Sequence, residues 1–357
     1  MSTICDNISR GEDGVLRFAG QDTQVLAKRY GTPLYLVDED RLRHNCRVYC
    51  RAFKKYFGDN AKALYASKAN SFKRIYEIMR EENMGIDVVS SGEIYTAAAA
   101  GYPMENAYFH GNNKTDADIR FAMDKGVGCF VVDNEEELKA VDKEAASRGI
   151  TQKIMLRLTP GIDPHTYEAI STGKVDSMFG VAIETGQAET FTASALGMKH
   201  IELRGFHCQV GSQVFAENVF ERAAVIMLRF IAHIKDEYGY QAQELDLGGM
   251  TDDPRYALYC AQYTCLAAKQ TGNTEMMHCS LVGRCCESGD IIQADILLPA
   301  DIKRGDIVAV CTTGAYNYSM ASNYNRVPRP PIVMLSGGES YIAVRRESLE
   351  DICLNDL

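Results

Sequence analysis

From about residue 60 to residue 250 the chain alternates short apolar runs with longer stretches of helical periodicity, and no other feature narrows its possible folds as much. The apolar runs read as strands at Ala63–Ala66, Ile86–Val89, Ala107–His110, Gly128–Val132, Ile154–Leu158, Leu203–His207 and Glu244–Leu247. Between them, Ser71–Met84, Gly92–Gly101, Thr115–Lys125, Asn134–Arg148 and Asn218–Tyr238 have acidic starts and apolar residues at helical spacing. Parallel strands need a crossover connection. Strand-then-helix repeated in order therefore predicts an α/β fold, a parallel sheet covered by helices. Seven such strands fit an open doubly wound sheet without difficulty. A closed (β/α)8 barrel needs an eighth strand and roughly 250 residues, more than Ala61–Gly249 supplies.

After Gly249 the texture changes. Ile291–Leu298, Asp306–Val310, Ile332–Leu335 and Tyr341–Arg345 are short β-like runs separated by turn residues, which predicts a smaller, mostly β domain. Val15–Phe18 and Leu34–Val37 could add strands to it, and Arg326–Pro331 is an extended connection because proline removes backbone donors. The expected division is a barrel over 34–249 and a β domain over 1–33 and 250–357, in keeping with about two domains for 357 residues. The net charge of −10 excludes the basic face of a nucleic-acid binder and suits small metabolites. Residues 1–30 have no apolar signal core, and no apolar run is long enough to span a membrane, so a cytoplasmic location is expected. The twelve cysteines then read as reduced thiols. Cys46 with Cys50 and Cys260 with Cys265 form no paired zinc knuckles, so no metal centre is expected.

Lys68 follows the first strand in Tyr65-Ala66-Ser67-Lys68-Ala69-Asn70, and barrel chemistry takes place at the C-terminal ends of strands. Its amine could condense with an aldehyde cofactor, although a lone lysine at such a place reads first as a surface charge. Gly211 and Ser212 could cradle a phosphate at a helix start or form an ordinary N-cap. Cys286 alone reads as an inert buried thiol and Arg255 alone as a solvated charge.

Taken in order, YASKAN (65–70), DVVSSGE (87–93), HGNNK (110–114), LRLTPG (156–161) and HCQVGSQ (207–213) resemble the barrel of the alanine racemase-like, fold-type III, pyridoxal-phosphate-dependent decarboxylases. GMTDDPRYALY (249–259), CCESGDII (285–292) and GAYNYSMASNYN (314–325) resemble the diaminopimelate branch of that family. The resemblance implies a TIM-type barrel with a C-terminal β domain, and a lyase of lysine biosynthesis. That enzyme would use pyridoxal 5'-phosphate to decarboxylate a small amino-acid substrate, meso-diaminopimelate, to lysine. It implies a homodimer with shared active sites. Lys68 would hold the cofactor, with Asp87 and Glu93 beside it; Arg157 would reach its phenolic oxygen; Gly211, Ser212, Gly248 and Gly249 would line the cofactor. Cys286 would protonate the carbanion, Glu287 would meet the distal ammonium, Arg255 and Tyr259 would hold carboxylates, and Tyr316 would contact cofactor or substrate.

Two departures stand against this pattern. In the family, a run like Leu245-Asp246-Leu247-Gly248-Gly249 is followed by dozens of residues and an eighth strand ending in Glu-Pro-Gly-Arg. Here it runs straight into Met250-Thr251-Asp252-Asp253-Pro254-Arg255, and no Glu-Pro-Gly-Arg occurs. The absent glutamate would pair with the cofactor's pyridinium nitrogen, and the absent strand would leave two open sheet edges. Gln209 also stands where the family has a histidine stacked on the cofactor ring. Three functional readings stay open: a diaminopimelate decarboxylase, an impaired paralogue that binds cofactor or forms dimers, and a related ornithine- or arginine-type decarboxylase.

Overall fold

The computed structural model describes residues 5–162, 179–211, 217–248, 261–270, 274–285 and 289–357. The chain divides into two compact units, residues 62–252 and residues 1–61 with 253–357.

In the first unit all seven expected strands form: β1 (Leu64–Ala66), β2 (Gly85–Val88), β3 (Ala107–Phe109), β4 (Cys129–Val132), β5 (Gln152–Thr159), β6 (Ile201–His207) and β7 (Glu244–Asp246). They pair in parallel and in chain order, with the short strand Val181–Ala182 added beside β5. Among the described residues β1 and β7 are the two edges of this sheet. The fold is therefore of the (β/α)8 barrel type, with seven barrel strands in chain order among the described residues.

The crossover helices are α1 (Lys73–Glu81), α2 (Ser91–Ala99), α3 (Asp116–Asp124), α4 (Glu135–Arg148), α5 (Gln187–Gly197) and α6 (Glu217–Tyr238). Local signals fix several of their starts. The Ser90 hydroxyl accepts from the Glu93 N–H, Asn134 accepts from the Glu137 N–H, and Thr115 and Asp118 form a reciprocal capping box. Gly149 ends α4 in the left-handed region, where glycine carries no Cβ penalty.

Strand residues alternate between two faces. One face, with Ile86, Val88, Phe109, Phe130, Ile154, Leu156 and Phe206, is fully buried. Phe206 meets Phe230 of α6 edge to face, which places this side under the helices. The other face lines a lumen and carries Asp87, Tyr108, Cys129, Val131, Met155, Arg157 and His207; Cys129, Val131 and Met155 pack together there with Tyr108. The Tyr108 hydroxyl donates to Glu244 Oε2 at 3.0 Å, linking β3 to β7. Those strands are four steps apart, about 19 Å in a flat sheet. The sheet must therefore curl until its third and seventh strands face each other. Gly205 permits the last pairing: a Cβ there would lie 1.8 Å from the Glu244 carbonyl oxygen.

The second unit is mostly β. Met276–Val282 pairs antiparallel with Ile291–Pro299, Cys265–Ala267 with Val308–Val310, and Ile332–Ser336 with Glu339–Val344. Residues 34–61, expected at the start of the barrel, cluster with this unit. Tyr35–Asp38 lies parallel to Ile332–Ser336, and the helix Glu39–Phe57 follows it. Leu26, Val333 and Leu335 form one apolar core here, and Cys265, Ile296 and Leu298 another.

Candidate active site

The lumen face collects charge at the C-terminal ends of the strands. Lys68 sits in a tight helical turn, Ser67–Ala69, directly after β1, and is exposed. Asp87 is the third residue of β2, and Glu93 lies in the first turn of α2. The Glu93 carboxylate accepts the Val89 N–H at 2.7 Å. Burial pushes its pKa up to about 7; that N–H and the charge of Lys68 oppose the rise, and Asp87 adds to it. Lys68 and Asp87 thus both lie close enough to Glu93 to act on its charge.

Arg157, at the end of β5, has its guanidinium 4.4 Å from the centre of the Phe179 ring and 3.8 Å from Asp133 Oδ1. Burial raises the Asp133 pKa, against the Gly180 N–H and the charge of Arg157. Beside this pair Lys114 and Glu137 are almost wholly buried. Lys114 Nζ donates to the carbonyls of Gly111 and Val131 and, at 2.7 Å, to Glu137 Oε1.

Next to Asp87, the side chains of His110, His207 and Asp246 close in on one another, with one ligand-capable atom from each within 4.8 Å of the others. The two imidazoles meet edge to face at 4.8 Å. His110 Nε2 lies 3.2 Å from Asp87 Oδ1, and His207 Nε2 lies 3.9 Å from Asp246 Oδ2. Burial, then His110 and the cations Arg157, Lys68 and Lys114, holds His207 well below the ordinary imidazole range. Burial and the like charge of Asp87 raise the Asp246 carboxyl.

Two glycines of the site are constrained by their neighbours. Gly248 has φ +68°, donates its N–H to Asp246 Oδ1, and leaves no room for a Cβ, which would fall 1.7 Å from Gln209 Oε1. Gly211 is buried, and its carbonyl accepts from Gln209 Nε2 at 2.8 Å. The side chain at the position expected to stack on a cofactor ring is thus turned toward its own loop. Tyr316 is buried in the second unit. Ser212, Gly249, Arg255, Tyr259, Cys286 and Glu287 lie outside the described residues. Sequence reasoning assigned no role to His110, Lys114, Asp133, Glu137 or Asp246. The signal for Asp246 was an acid flanked by leucines at a strand end, and for His110 its place closing β3.

The donor set fits an anionic aldehyde cofactor. Lys68 and Asp87 both act on the Glu93 carboxylate, Arg157 lies at another strand end, and His207 Nδ1 is buried without a hydrogen-bond partner. Glycine backbone, with no side chain in the way, borders the same mouth.

Comparison with known proteins agrees. Residues 43–254 match the family described as "Pyridoxal-dependent decarboxylase, pyridoxal binding domain". The chain is 35% identical to the diaminopimelate decarboxylase of Bacillus subtilis, an alignment covering 98% of this chain and 96% of that one. It is 33% identical to the Staphylococcus aureus diaminopimelate decarboxylase, covering 98% and 99%. The B. subtilis alignment spans 425 positions against the 357 residues here, so at least 68 of its positions have no counterpart in this chain. Among solved structures, diaminopimelate decarboxylase from M. jannaschii in co-complex with L-lysine superposes with a TM-score of 0.88 at 25% identity, covering 99% of this chain and 98% of that one. A curled parallel sheet with Lys68 at the mouth of its lumen, a family match across most of that sheet and full-length relatives of one kind lead to one assignment: the chain belongs to the pyridoxal-dependent decarboxylases, and its relatives there include the diaminopimelate decarboxylases.

Proposed function

We propose that the chain decarboxylates meso-diaminopimelate to L-lysine and CO2, using pyridoxal 5'-phosphate held on Lys68, as a step of lysine biosynthesis. The observation that carries this reading is the gathering of Lys68, Asp87 and Glu93 at one strand-end wall in a chain whose full-length relatives are diaminopimelate decarboxylases. The lysine in the M. jannaschii co-complex is the product this reaction would release.

When bound, the cofactor supplies an electron sink for the pair left as CO2 departs. The chain's own residues do the rest. Lys68 Nζ anchors it. Glu93, with a pKa near neutrality, takes and returns a proton beside that amine, and Asp87 balances the amine's charge. Arg157, which lies 3.8 Å from Asp133, would hold the phenolic oxygen. Gly211, Ser212, Gly248 and Gly249 offer backbone around the phosphate. Cys286 returns the proton to the α-carbon, Glu287 meets the distal ammonium, and Arg255, Tyr259 and Tyr316 position the substrate, Arg255 by a two-pronged contact with a carboxylate. In this reading the enzyme is a cytoplasmic homodimer, and Cys286 and Glu287 serve the partner's site.

The test is borohydride trapping with pyridoxal phosphate, followed by peptide mass mapping, alongside an assay of CO2 and lysine release from meso-diaminopimelate, ornithine and arginine. Cofactor mass on Lys68 and turnover of diaminopimelate alone support the proposal. Label on Lys68 without turnover of any substrate would instead support a cofactor-binding paralogue, the reading favoured by the absent Glu-Pro-Gly-Arg.

A further inference from the structure

Among the described residues the lumen floor carries two carboxylates, Asp87 and Asp246, beyond those that face Arg157 and Lys114. Arg157 faces Asp133, and Lys114 is bonded to Glu137. That leaves Asp87 and Asp246 at the same floor, with two buried imidazoles between them and the exposed Lys68 and Glu93 at the mouth. Asp87 Oδ1 and His110 Nε2 face each other at 3.2 Å without a well-formed hydrogen bond, His207 Nδ1 is buried without a hydrogen-bond partner, and both histidines are more than nine-tenths buried. Orphaned polar atoms of this kind carry a desolvation cost unless something satisfies them.

The spacing says what would draw His110 Nε2, Asp87 Oδ1, His207 Nε2 and Asp246 Oδ2 together. Ligand atoms bound about 2.0–2.2 Å from one tetrahedral ion lie about 3.4 Å apart. The His110 to Asp87 separation is 3.2 Å and the His207 to Asp246 separation 3.9 Å, close to two edges of such a tetrahedron. The ligand-capable atoms of His110, His207 and Asp246 all lie within 4.8 Å of one another. Asp246 Oδ1 is already fixed by the Gly248 N–H, leaving the other oxygen facing His207. Two imidazoles and two carboxylates suit a borderline divalent ion such as zinc rather than calcium or magnesium, which favour oxygen-only shells.

We propose that His110, His207 and Asp246, completed by Asp87, form a binding site for one divalent transition-metal ion in the floor of the lumen. Cysteine spacing points to no metal, and these four ligands come from four different strand ends, which no local pattern links. His110, His207 and Asp246 have no role in the proposed decarboxylation; only Asp87 is shared with the cofactor wall, so the three-residue core of the site stands apart from that reading.

The experiment uses the full chain, freed of metal by a chelator and free of pyridoxal phosphate. Zn2+ is titrated calorimetrically, and Co2+ serves as a spectroscopic probe. One equivalent of Zn2+ should bind. Asp246→Asn and His110→Asn should each weaken binding at least tenfold, while His278→Ala, which changes an exposed histidine of the other unit, should leave it unchanged. Bound Co2+ should show visible d–d bands without thiolate charge transfer. Equal Zn2+ affinity in the wild type and both lumen variants would overturn the proposal. So would a cobalt–thiolate band in the wild type, a readout that needs no variant to fold and would hand the metal to the cysteines. Neither readout involves decarboxylation, so failure here leaves the proposed activity standing and failure of that activity leaves the metal site standing.

Discussion

Removing Glu137 should unfold more of this protein than its size suggests. Its carboxylate is 4% exposed and Lys114 is 2% exposed; Lys114 Nζ has all three protons placed, two on carbonyls and one on Glu137 Oε1. Glu137 Oε2 also accepts the buried Asp133 N–H at 3.1 Å. Burial alone pulls the lysine pKa down and the glutamate pKa up, so each depends on the other for its charge. In Glu137→Ala the ammonium keeps two carbonyls and loses its counter-ion. Breaking such a pair costs about 3–5 kcal/mol, which in a unit of this size lowers the melting midpoint by roughly 10 °C. Lys114→Met with Glu137→Leu removes both charges and orphans only neutral backbone groups, at about 1 kcal/mol for each net hydrogen bond lost. The double variant should therefore be more stable than Glu137→Ala. The chain has no tryptophan, so urea and thermal unfolding are best followed by far-ultraviolet circular dichroism. A Glu137→Ala cost under about 1 kcal/mol, or a double-variant cost equal to the sum of the two single ones, would refute the reasoning.

Three further outcomes are expected. Glu93 has a folded-state pKa of about 7, above its ordinary 4.5, so the folded chain holds the extra proton between those values. That contribution is present below about pH 4.5 and is lost as pH rises toward 7, roughly 2–3 kcal/mol in the cofactor-free protein. Glu93→Gln should flatten the stability profile across that window, measured by urea midpoints at several pH values. Gly205→Ala would set a Cβ 1.8 Å from the Glu244 carbonyl oxygen and force β6 and β7 apart. The Cys208 N–H, which donates to the Asp246 carbonyl, should then lose hydrogen-exchange protection at least tenfold. Tyr108→Phe leaves Glu244 Oε2 without its donor while Arg204 still holds Oε1, and should cost about 1–2 kcal/mol in thermal unfolding.

Much of the barrel was legible because parallel strands buried on both faces leave short apolar runs that stand out between amphipathic helices. The seven strands fall where those runs lie. The helix Gln187–Gly197 was missed because its alanine, threonine and serine content gives little contrast between faces. Met276–Val282 was missed because the strand is mostly exposed and carries no clean alternation. The move of residues 34–61 out of the barrel follows from a long-range parallel pairing, Tyr35 opposite Ile332, that no local pattern encodes. At the site, Lys68, Asp87, Glu93 and Arg157 were named from motifs. Asp133, Lys114 and Glu137 went unassigned because their roles arise from burial around Arg157, and burial of a charge is invisible in a list of residues.

The tie between Tyr108 and Glu244 has a geometric consequence. In a closed barrel, strand number and stagger set the bore, and both are properties of the backbone. Among the described residues this sheet has no strand between its edges, and a phenol and a carboxylate hold its third and seventh strands at their distance. Side-chain length therefore helps to set the bore at this level, and one methylene added to or taken from position 244 would shift the spacing of these two strands near the end of the barrel away from Lys68.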